Sequence, residues 1–219
     1  MRFSIPDTIP RAALITGGAR QSAVAHALAG AGFAVALQSQ TDDVDALPSR
    51  AIVLRADLAD ETQTAELHGR AHEMLGPIGV LINAAATMER DAWDDANRTT
   101  WDMHIETNLR APFVLIQHFA KALPKGREGV VINLLDQQIC SHLVSYTLSK
   151  AALWSLTQTM ALALAPRIRV NGIAPAPVRG QQVRTGETDA VANAALAILA
   201  FRSMTGQMIV PDGVPPPAG

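Results

Sequence analysis

Short runs of apolar, β-favouring residues alternate along the whole chain with longer segments of helical periodicity. The runs are continuously apolar, as expected for strands buried on both faces of a sheet. The predicted strands are Ala12–Thr16, Phe33–Gln38, Ala51–Arg55, Val80–Asn83, Val130–Leu135, Arg169–Ile173 and Gln207–Val210. The alternation predicts an α/β fold, a doubly wound parallel sheet of about seven strands in three α/β/α layers.

The helical segments lie between these strands and complete the pattern. The predicted helices are Ser22–Ala31, Thr62–Leu75, Thr99–Leu123, Tyr146–Ala165 and Asp189–Phe201. In sheets of this kind, ligands bind at the carboxyl ends of the strands, near the point where the strand order reverses. Functional residues are therefore expected just after strands one, two, four and five.

Size and charge narrow the class of protein. The 219 residues suit a single domain spanning 1–219, and a net charge of −2 with scattered Lys and Arg predicts neither a nucleic-acid nor a membrane partner. The longest apolar stretches, such as Val24–Leu37, are too short or too broken to span a bilayer. The single cysteine, Cys140, excludes an internal disulfide, and no signal peptide is evident, so we expect a cytoplasmic location.

The turn after the first strand is rich in small residues. It contains Thr16, Gly17, Gly18, Arg20, Gln21 and Ser22, and a helix follows directly. Small residues let backbone amides approach a pyrophosphate, and the helix N-terminus adds partial positive charge. The turn is therefore a candidate cofactor site, although Gly-Gly turns of this kind are also common without any ligand.

Two further strand ends support a dinucleotide site. Asp57 and Leu58 follow strand three, where a carboxylate could meet an adenine edge. Asn83, Ala84 and Ala85 follow strand four, where small residues let a flat cofactor lie close to the backbone. The alternatives are a helix cap at Asp57 and tight packing at the alanines.

A tyrosine and a lysine stand one helical turn apart. Tyr146 and Lys150 lie at i and i+4, so their side chains share one helix face. A nearby ammonium stabilises phenolate, and we therefore expect Lys150 to lower the pKa of Tyr146 into a range useful for proton transfer. A surface helix with an incidental Tyr and Lys is the alternative interpretation.

These motifs together resemble the short-chain dehydrogenase/reductase family. The resemblance depends on Thr16-Gly17, on Asn83–Ala86 and on the pair Tyr146 and Lys150. Their order and separations match the family over roughly residues 12–213. The resemblance implies a Rossmann-type fold and a nicotinamide cofactor. Two positions make it closest to the pteridine-reductase-like branch. Gln21 stands where that branch carries a larger, usually basic residue, and Asp136 stands where that branch also has an aspartate.

The resemblance also implies roles for individual residues. It assigns Tyr146 as the acid, Lys150 as the residue that tunes it and binds the nicotinamide ribose, Asn108 as the anchor of a water, and Asp136 as an aid at the substrate. It also implies that the segment containing Pro175, Pro177 and Val178 touches the nicotinamide.

Three departures from the family pattern bear on activity. Ala23 stands where the family has a glycine, and Asp136 precedes Tyr146 by ten positions where about thirteen are usual. The second departure could displace Asp136 from Tyr146. The helical lid over the substrate is shortened to about residues 179–186, which predicts an open site or one completed by a partner subunit.

The cofactor choice is a question of charge after strand two. Ser39 and Gln40 stand where NAD-preferring sites usually place a carboxylate, and Arg20 stands where NADP-dependent relatives often have a basic residue. We therefore predict NADP, with NAD as the alternative because Asp42 and Asp43 follow closely.

Three functions remain open from the sequence. The first is an NADPH-dependent reductase of a carbonyl or pterin-like C=N bond in a small molecule. The others are a catalytically idle dinucleotide-binding or regulatory subunit and a generic 3-oxoacyl or alcohol-type reductase. The resemblance implies a homodimer or homotetramer, and the apolar helix face formed by Leu153, Leu156, Met160 and Leu164 could serve as interface or as core.

No metal site is predicted. His68 and His72 have a spacing that can bind zinc, but they lie on a charged helix with no third ligand in view. We interpret them as part of a solvated helix face.

Overall fold

The computed structural model describes residues 4–41, 47–175 and 185–211, with side chains from 189 onward in the last range. Its seven strands are all parallel and form one sheet in the order β3-β2-β1-β4-β5-β6-β7. The strands are β1 Ala12–Thr16, β2 Ala34–Ser39, β3 Ala51–Arg55, β4 Val80–Asn83, β5 Gly129–Leu134, β6 Ile168–Ile173 and β7 Met208–Ile209. The predicted doubly wound parallel sheet is confirmed, and its order reverses between β1 and β4.

Six α-helices accompany the strands in the described ranges of the chain. They are α1 Ser22–Gly30, α2 Glu61–Leu75, α3 Arg98–Ile105, α4 Ala111–Ala122, α5 Val144–Leu164 and α6 Thr185–Ala200. The long helix predicted over Thr99–Leu123 is divided, because a π-helical turn at Glu106–Arg110 separates α3 from α4. The predicted short lid at 179–186 lies outside the described residues, except where α6 begins at Thr185.

Two large apolar clusters, one on each face of the sheet, form most of the core, and a small third cluster contains Leu135, Leu153 and Ala174. On one face, strand residues such as Ile15 and Val35 pack with Leu28 of α1 and Ile198 of α6. On the other face, strand residues pack with α2, α4 and α5 through side chains such as Phe119. The three-layer α/β/α arrangement follows from these two clusters. None of the described helices is long and apolar enough to cross a membrane.

The apolar face of α5 belongs to the core. Leu153 is buried, and Leu156, Met160 and Leu164 are partly buried against the core clusters. The large apolar side chains that α5 exposes are instead Leu148 and Leu162.

The interpretation of His68 as solvated is wrong. His68 is 3% exposed, and its ring packs edge-on against Phe119 of α4, with ring centroids 6.1 Å apart. Burial first, and then the nearby His72 and His118, lower the pKa of His68 to about 4. The charged residues of α2 suggested a solvated helix, but α4 covers the face of α2 that carries His68.

Acid should therefore weaken the fold through His68. Between pH about 4 and 6.5 the unfolded chain binds a proton that the folded chain does not, so stability falls as the pH falls through this window. The free energy of unfolding should drop by about 2 kcal/mol between pH 7 and pH 5 through this residue. Urea denaturation at both pH values measures this. In His68→Leu the drop should shrink by that amount, and an unchanged drop would contradict the assignment.

A buried arginine anchors the C-terminal part of the described chain. The Arg169 guanidinium, on β6, donates to the carbonyls of Ile198, Leu199, Phe201 and Met204 at 2.8–3.1 Å. The last carbonyls of a helix have no partners within the helix. Arg169 supplies partners for those of α6 and ties the helix to the sheet.

Candidate functional site

A cavity of about 310 Å³ opens where the strand order reverses, at the carboxyl ends of β1, β2 and β4. This is the position at which parallel α/β sheets bind ligands. Its lining contains Gly17, Gly18, Ala19, Arg20, Gln38, Ser39, Gln40, Thr41, Leu58, Ala85, Ala86, Thr87 and Thr107. Seven predicted cofactor residues therefore share one cavity: Gly17, Gly18, Arg20, Ser39, Gln40, Leu58 and Ala85.

The turn after β1 strongly favours glycine at two positions. Gly17 has φ +113°, and a Cβ there would lie 3.0 Å from the backbone of Ala84 and Ala85. Gly18 has φ +63°, and its Cβ would lie 3.3 Å from Ser39 Oγ. Left-handed backbone at both positions and the close approach to backbone at Gly17 disfavour side chains, so bare backbone faces the cavity there. The turn fits the pyrophosphate of a dinucleotide.

Thr16 joins the two strands that flank the cavity. Its Oγ1 accepts hydrogen bonds from the amides of Ala84 and Ala85, at 3.0 and 3.1 Å. These two amides follow β4 and would otherwise need another partner. The bond fixes the edge of the cavity, which explains the value of a threonine directly before the glycines.

Gln38 is a cavity residue that the sequence interpretation missed. It is buried at the end of β2, where Oε1 accepts from the Gly17 amide at 3.0 Å and Nε2 donates to the Ala56 carbonyl at 2.8 Å. The side chain thus connects the ends of β1, β2 and β3. The one signal available was a polar residue at the end of a strand otherwise buried and apolar.

The residues after β2 and β3 form the far end of the cavity. Ser39 Oγ accepts from the Thr41 amide at 3.2 Å, and Gln40 Nε2 donates to Asp57 Oδ1 at 3.0 Å. Asp57 faces an adjoining polar cavity of about 340 Å³ together with Gln40 and Arg55. Among the described residues that line the 310 Å³ cavity, Arg20 is the one with a charged side chain.

Asn83 lies in the interior rather than on the cavity wall. Its Nδ2 donates to Asn133 Oδ1 at 2.8 Å, and Asn133 Nδ2 donates to Thr157 Oγ1 at 2.8 Å. This chain links β4, β5 and α5 below the site. Asn83 Oδ1 is buried without a hydrogen-bond partner.

Asn108 fixes the loop after β4. It lies in the π-helical turn, where its Oδ1 accepts from the Thr87 amide at 2.9 Å and its Nδ2 donates to the Thr87 carbonyl at 3.0 Å. Nδ2 also donates to Ser149 Oγ at 3.0 Å. The Asn108 side chain is thereby committed to Thr87, which lines the cavity, and to the helix that carries Tyr146 and Lys150.

Tyr146 and Asp136 meet despite the short loop between them. The Tyr146 hydroxyl donates to Asp136 Oδ2 at 2.9 Å. The spacing of ten residues therefore does not separate the pair. Tyr146 is also the single tyrosine of the chain.

The expectation that Lys150 lowers the pKa of Tyr146 is wrong. Burial raises the pKa of Tyr146 above its ordinary value, and the Asp136 carboxylate raises it further by charge and by hydrogen bonding. The Lys150 ammonium lies 6.0 Å from the centre of the Tyr146 ring. Tyr146 is therefore a neutral phenol that holds its proton at physiological pH.

Lys150 is buried at the end of β5. It is 4% exposed, and its ammonium donates to the Leu134 carbonyl at 3.0 Å. Burial lowers the pKa of Lys150 to about 8, although the Asp136 carboxylate opposes that shift. A buried ammonium with one hydrogen bond keeps two protons free for a further partner.

The remaining predicted residues fall around this arrangement. Gln21 and Ser22 lie at the start of α1, and Pro175 follows β6. Pro177 and Val178 lie outside the described residues. Ala86, the last residue of the quoted motif Asn83–Ala86, also lines the cavity. Cavity residues that the sequence interpretation missed, besides Gln38, are Ala19, Thr41, Thr87 and Thr107.

Comparison with known proteins gives one consistent family. Residues 11–190 match the family model described as short chain dehydrogenase. L-xylulose reductase from Mesocricetus auratus is 32% identical over 191 residues, which cover 82% of this chain and 76% of that protein. A short-chain type dehydrogenase/reductase from Picea abies is 28% identical over 151 residues, and the match covers 66% of this chain and only 56% of that protein.

One solved structure resembles the whole fold closely. FolM alternative dihydrofolate reductase 1 from Brucella canis, complexed with NADP, superposes with a TM-score of 0.84. The sequences are 34% identical, and the match covers 94% of this chain and 94% of that one.

Proposed function

This chain belongs to the short-chain dehydrogenase family of NAD(P)-dependent oxidoreductases, and we propose that it is an NADPH-dependent reductase of a pterin-like C=N bond in which Tyr146 is the acid. The observation that carries the proposal is the hydrogen bond from the Tyr146 hydroxyl to Asp136, at 2.9 Å. When bound, NADPH would supply the hydride.

The cofactor proposal rests on the charge around the 310 Å³ cavity. The described lining residues include Arg20 and no carboxylate, and Ser39 and Gln40 offer neutral hydrogen-bonding groups. A 2′-phosphate would meet attraction from the guanidinium, whereas a carboxylate at this position would favour the free hydroxyls of NAD. The similar Brucella canis protein was solved with NADP.

The substrate proposal rests on the pairing of a donor with an acceptor. Tyr146 keeps its proton because burial and Asp136 raise its pKa, so it can donate to a substrate atom as that atom gains negative charge. Asp136 can accept a hydrogen bond from an adjacent N–H. A ring that carries C=N beside N–H presents both edges, whereas a plain carbonyl oxygen would face repulsion from the carboxylate.

Lys150 completes the proposed proton-transfer group. Its ammonium is fixed by the Leu134 carbonyl and has protons left to donate to the nicotinamide ribose. Its positive charge would stabilise the phenolate that Tyr146 becomes after it gives up its proton. Asn108 is proposed to hold Thr87 and Ser149 in place beside this group.

A carbonyl or sugar reductase is the second candidate. L-xylulose reductase from Mesocricetus auratus supports it, at 32% identity over most of this chain. The two candidates differ at Asp136, which a carbonyl substrate does not need. Activity that persists or rises in Asp136→Ser would favour the carbonyl candidate.

Side-by-side titrations test the cofactor first. We expect NADPH to bind at least tenfold more tightly than NADH, as measured by fluorescence of the reduced nicotinamide on the purified protein. The preference should collapse in Arg20→Ala, while Arg202→Ala, which removes an exposed arginine paired with Glu128, should leave it unchanged. Equal affinity for both cofactors would overturn the NADPH assignment, and no binding of either would overturn the enzyme proposal in favour of a regulatory, partner-binding subunit.

Turnover then separates the substrates. NADPH oxidation would be followed with dihydrofolate, with a dihydropterin and with L-xylulose. We expect oxidation with the first two. Turnover of L-xylulose alone would replace the pterin proposal by the sugar one.

We also propose that the protein is a homo-oligomer. Leu148 and Leu162 on α5 are 48% and 85% exposed, and Phe113 on α4 is also exposed. Exposed apolar groups on helices favour an interface between copies. Light scattering should give a dimer or tetramer mass, and Leu162→Glu should reduce it. Glu replacement at exposed Thr62, on α2, serves as the control of equal charge, and a monomeric wild-type protein would contradict the proposal.

A further inference from the structure

Three buried polar side chains form a chain of hydrogen bonds that does not reach the cavity. They are Asp91, in the segment between β4 and α3, His104 on α3, and Ser145 on α5. All three are buried, and the side chains of Asp91 and His104 are fully so. Ionisable groups at such depth are costly unless they are hydrogen-bonded, so an arrangement of this kind needs a reason.

Asp91 caps the helix that carries Tyr146. The Ser145 amide donates to Asp91 Oδ2 at 3.1 Å, and the Ser145 hydroxyl contacts the same oxygen. Leu143, the residue directly before α5, provides no side-chain cap of its own. A carboxylate at this point satisfies a free amide of the first turn and interacts favourably with the helix dipole.

The backbone of Asp91 holds the same helix start. Its amide donates to the His142 carbonyl at 3.1 Å, and its carbonyl accepts from the Val144 amide at 2.9 Å. Side chain and backbone together attach the first turn of α5 to a segment more than fifty residues earlier in the chain. The position of that turn is therefore determined by Asp91.

His104 fixes the direction of the hydrogen bonds. Its Nε2 accepts from the Glu89 amide at 2.9 Å and thus carries no proton. In the neutral ring the proton is then on Nδ1, which lies 2.6 Å from Ser145 Oγ and donates to it. The Ser145 hydroxyl, having accepted from His104, donates to Asp91. Each bond has one donor and one acceptor, so the chain has one direction.

This chain of hydrogen bonds lies directly beside Tyr146. Ser145 directly precedes Tyr146, and the His104 ring packs edge-on against the Tyr146 ring with centroids 6.0 Å apart. The other end of the Tyr146 side chain reaches Asp136. A shift of Ser145 would move the hydroxyl away from Asp136, and misplacement of a reacting group by about 1 Å can reduce a rate about 100-fold.

We propose that Asp91, acting through Ser145 and His104, is the positioning residue that holds the Tyr146 hydroxyl against Asp136. The catalytic purpose of the contact between Tyr146 and Asp136 rests on the proposed function, but the positioning by Asp91 does not. The contact itself can be measured without substrate, because Tyr146 is the single tyrosine of the chain. Protein labelled with ¹³C at the tyrosine Cζ gives one resonance, which reports on the phenol hydrogen bond.

The test compares three proteins at neutral pH. Asp136→Asn defines the resonance of Tyr146 after the carboxylate partner is lost. In Asp91→Asn, which has nearly the same shape but replaces the charged acceptor of the Ser145 amide and hydroxyl by a weaker neutral one, the Tyr146 resonance should move part of the way towards that reference. The affinity for NADPH should stay within a factor of two of the wild-type value, since none of the three residues is among those that line the cavity.

A stability control separates positioning from general damage. Asn97→Ala removes the capping box of α3 and should lower the unfolding temperature while it leaves the Tyr146 resonance unchanged. A wild-type resonance in Asp91→Asn would overturn the proposal, and so would an equal shift in Asn97→Ala. If Asp91→Asn does not fold, Ser145→Ala keeps the capped amide and breaks the same chain, with the same two outcomes. A failed NADPH titration would instead overturn the proposed function and leave this result intact.

Discussion

Replacement of Tyr146 by phenylalanine should lower turnover by about 100-fold to 10,000-fold while it leaves NADPH affinity nearly unchanged. The phenol is the proposed proton donor, and it is neutral because burial and the Asp136 carboxylate both raise its pKa. Phenylalanine keeps the ring that packs against His104 and removes only the hydroxyl. Steady-state rates with the accepted substrate, together with an NADPH titration, measure the two effects separately.

Asp136→Asn is the matched comparison for this prediction. It keeps the shape of the side chain that accepts from Tyr146 and removes its charge. With a pterin-like substrate, Asp136→Asn should also lose activity, because the acceptor for the ring N–H is weakened. Wild-type turnover in Tyr146→Phe would remove Tyr146 from the reaction altogether.

Replacement of Lys150 by methionine should stabilise the fold and inactivate the enzyme. Burial lowers the pKa of Lys150 from 10.5 to about 8, which corresponds to about 3 kcal/mol of unfavourable free energy at neutral pH. Loss of the hydrogen bond to the Leu134 carbonyl lowers the free energy of unfolding by about 1 kcal/mol. The net gain in unfolding free energy should be about 1–2 kcal/mol at pH 7, with turnover reduced at least tenfold.

The pH dependence gives this prediction a sign. Because the folded pKa lies below the unfolded one, the cost of burying Lys150 is fully present below pH about 8 and is relieved as the pH rises to 10.5. The stability advantage of Lys150→Met should therefore shrink between pH 7 and pH 10 in urea denaturation. Wild-type turnover should fall over the same rise, as the ammonium is lost. Lys121→Met, at an exposed position of α4, is the control and should change neither quantity.

The parallel sheet and the pair Tyr146 and Lys150 could be predicted from the sequence because their signals are local. β1, β3 and β4 begin and end at the predicted residues, since buried strands are continuous apolar runs bounded by turns. The likeness of the Tyr146 segment to the family placed it on a helix after β5. The contact between Tyr146 and Asp136 survived a loop three residues shorter than usual, because loops absorb deletions without moving the elements they join.

Residues that act through distant partners could not be predicted. Gln38 reads as one more strand residue until β1 and β3 are placed beside it. Asp91 and Ser145 are 54 positions apart, and nothing in either local sequence points to the other. The burial of His68 depends on Phe119, and the direction of the Tyr146 pKa depends on its burial and on Asp136, which both raise it.

The four carbonyls bound by Arg169 limit where the chain could end and still fold. Two of them belong to α6 and two to Phe201 and Met204, so one side chain joins the last helix to the residues after it. A protein cut before Phe201 would keep the guanidinium in the interior with half of its acceptors removed. Folding of the last layer should therefore be all-or-none, and progressive C-terminal deletions should lose cooperativity abruptly at this point rather than gradually.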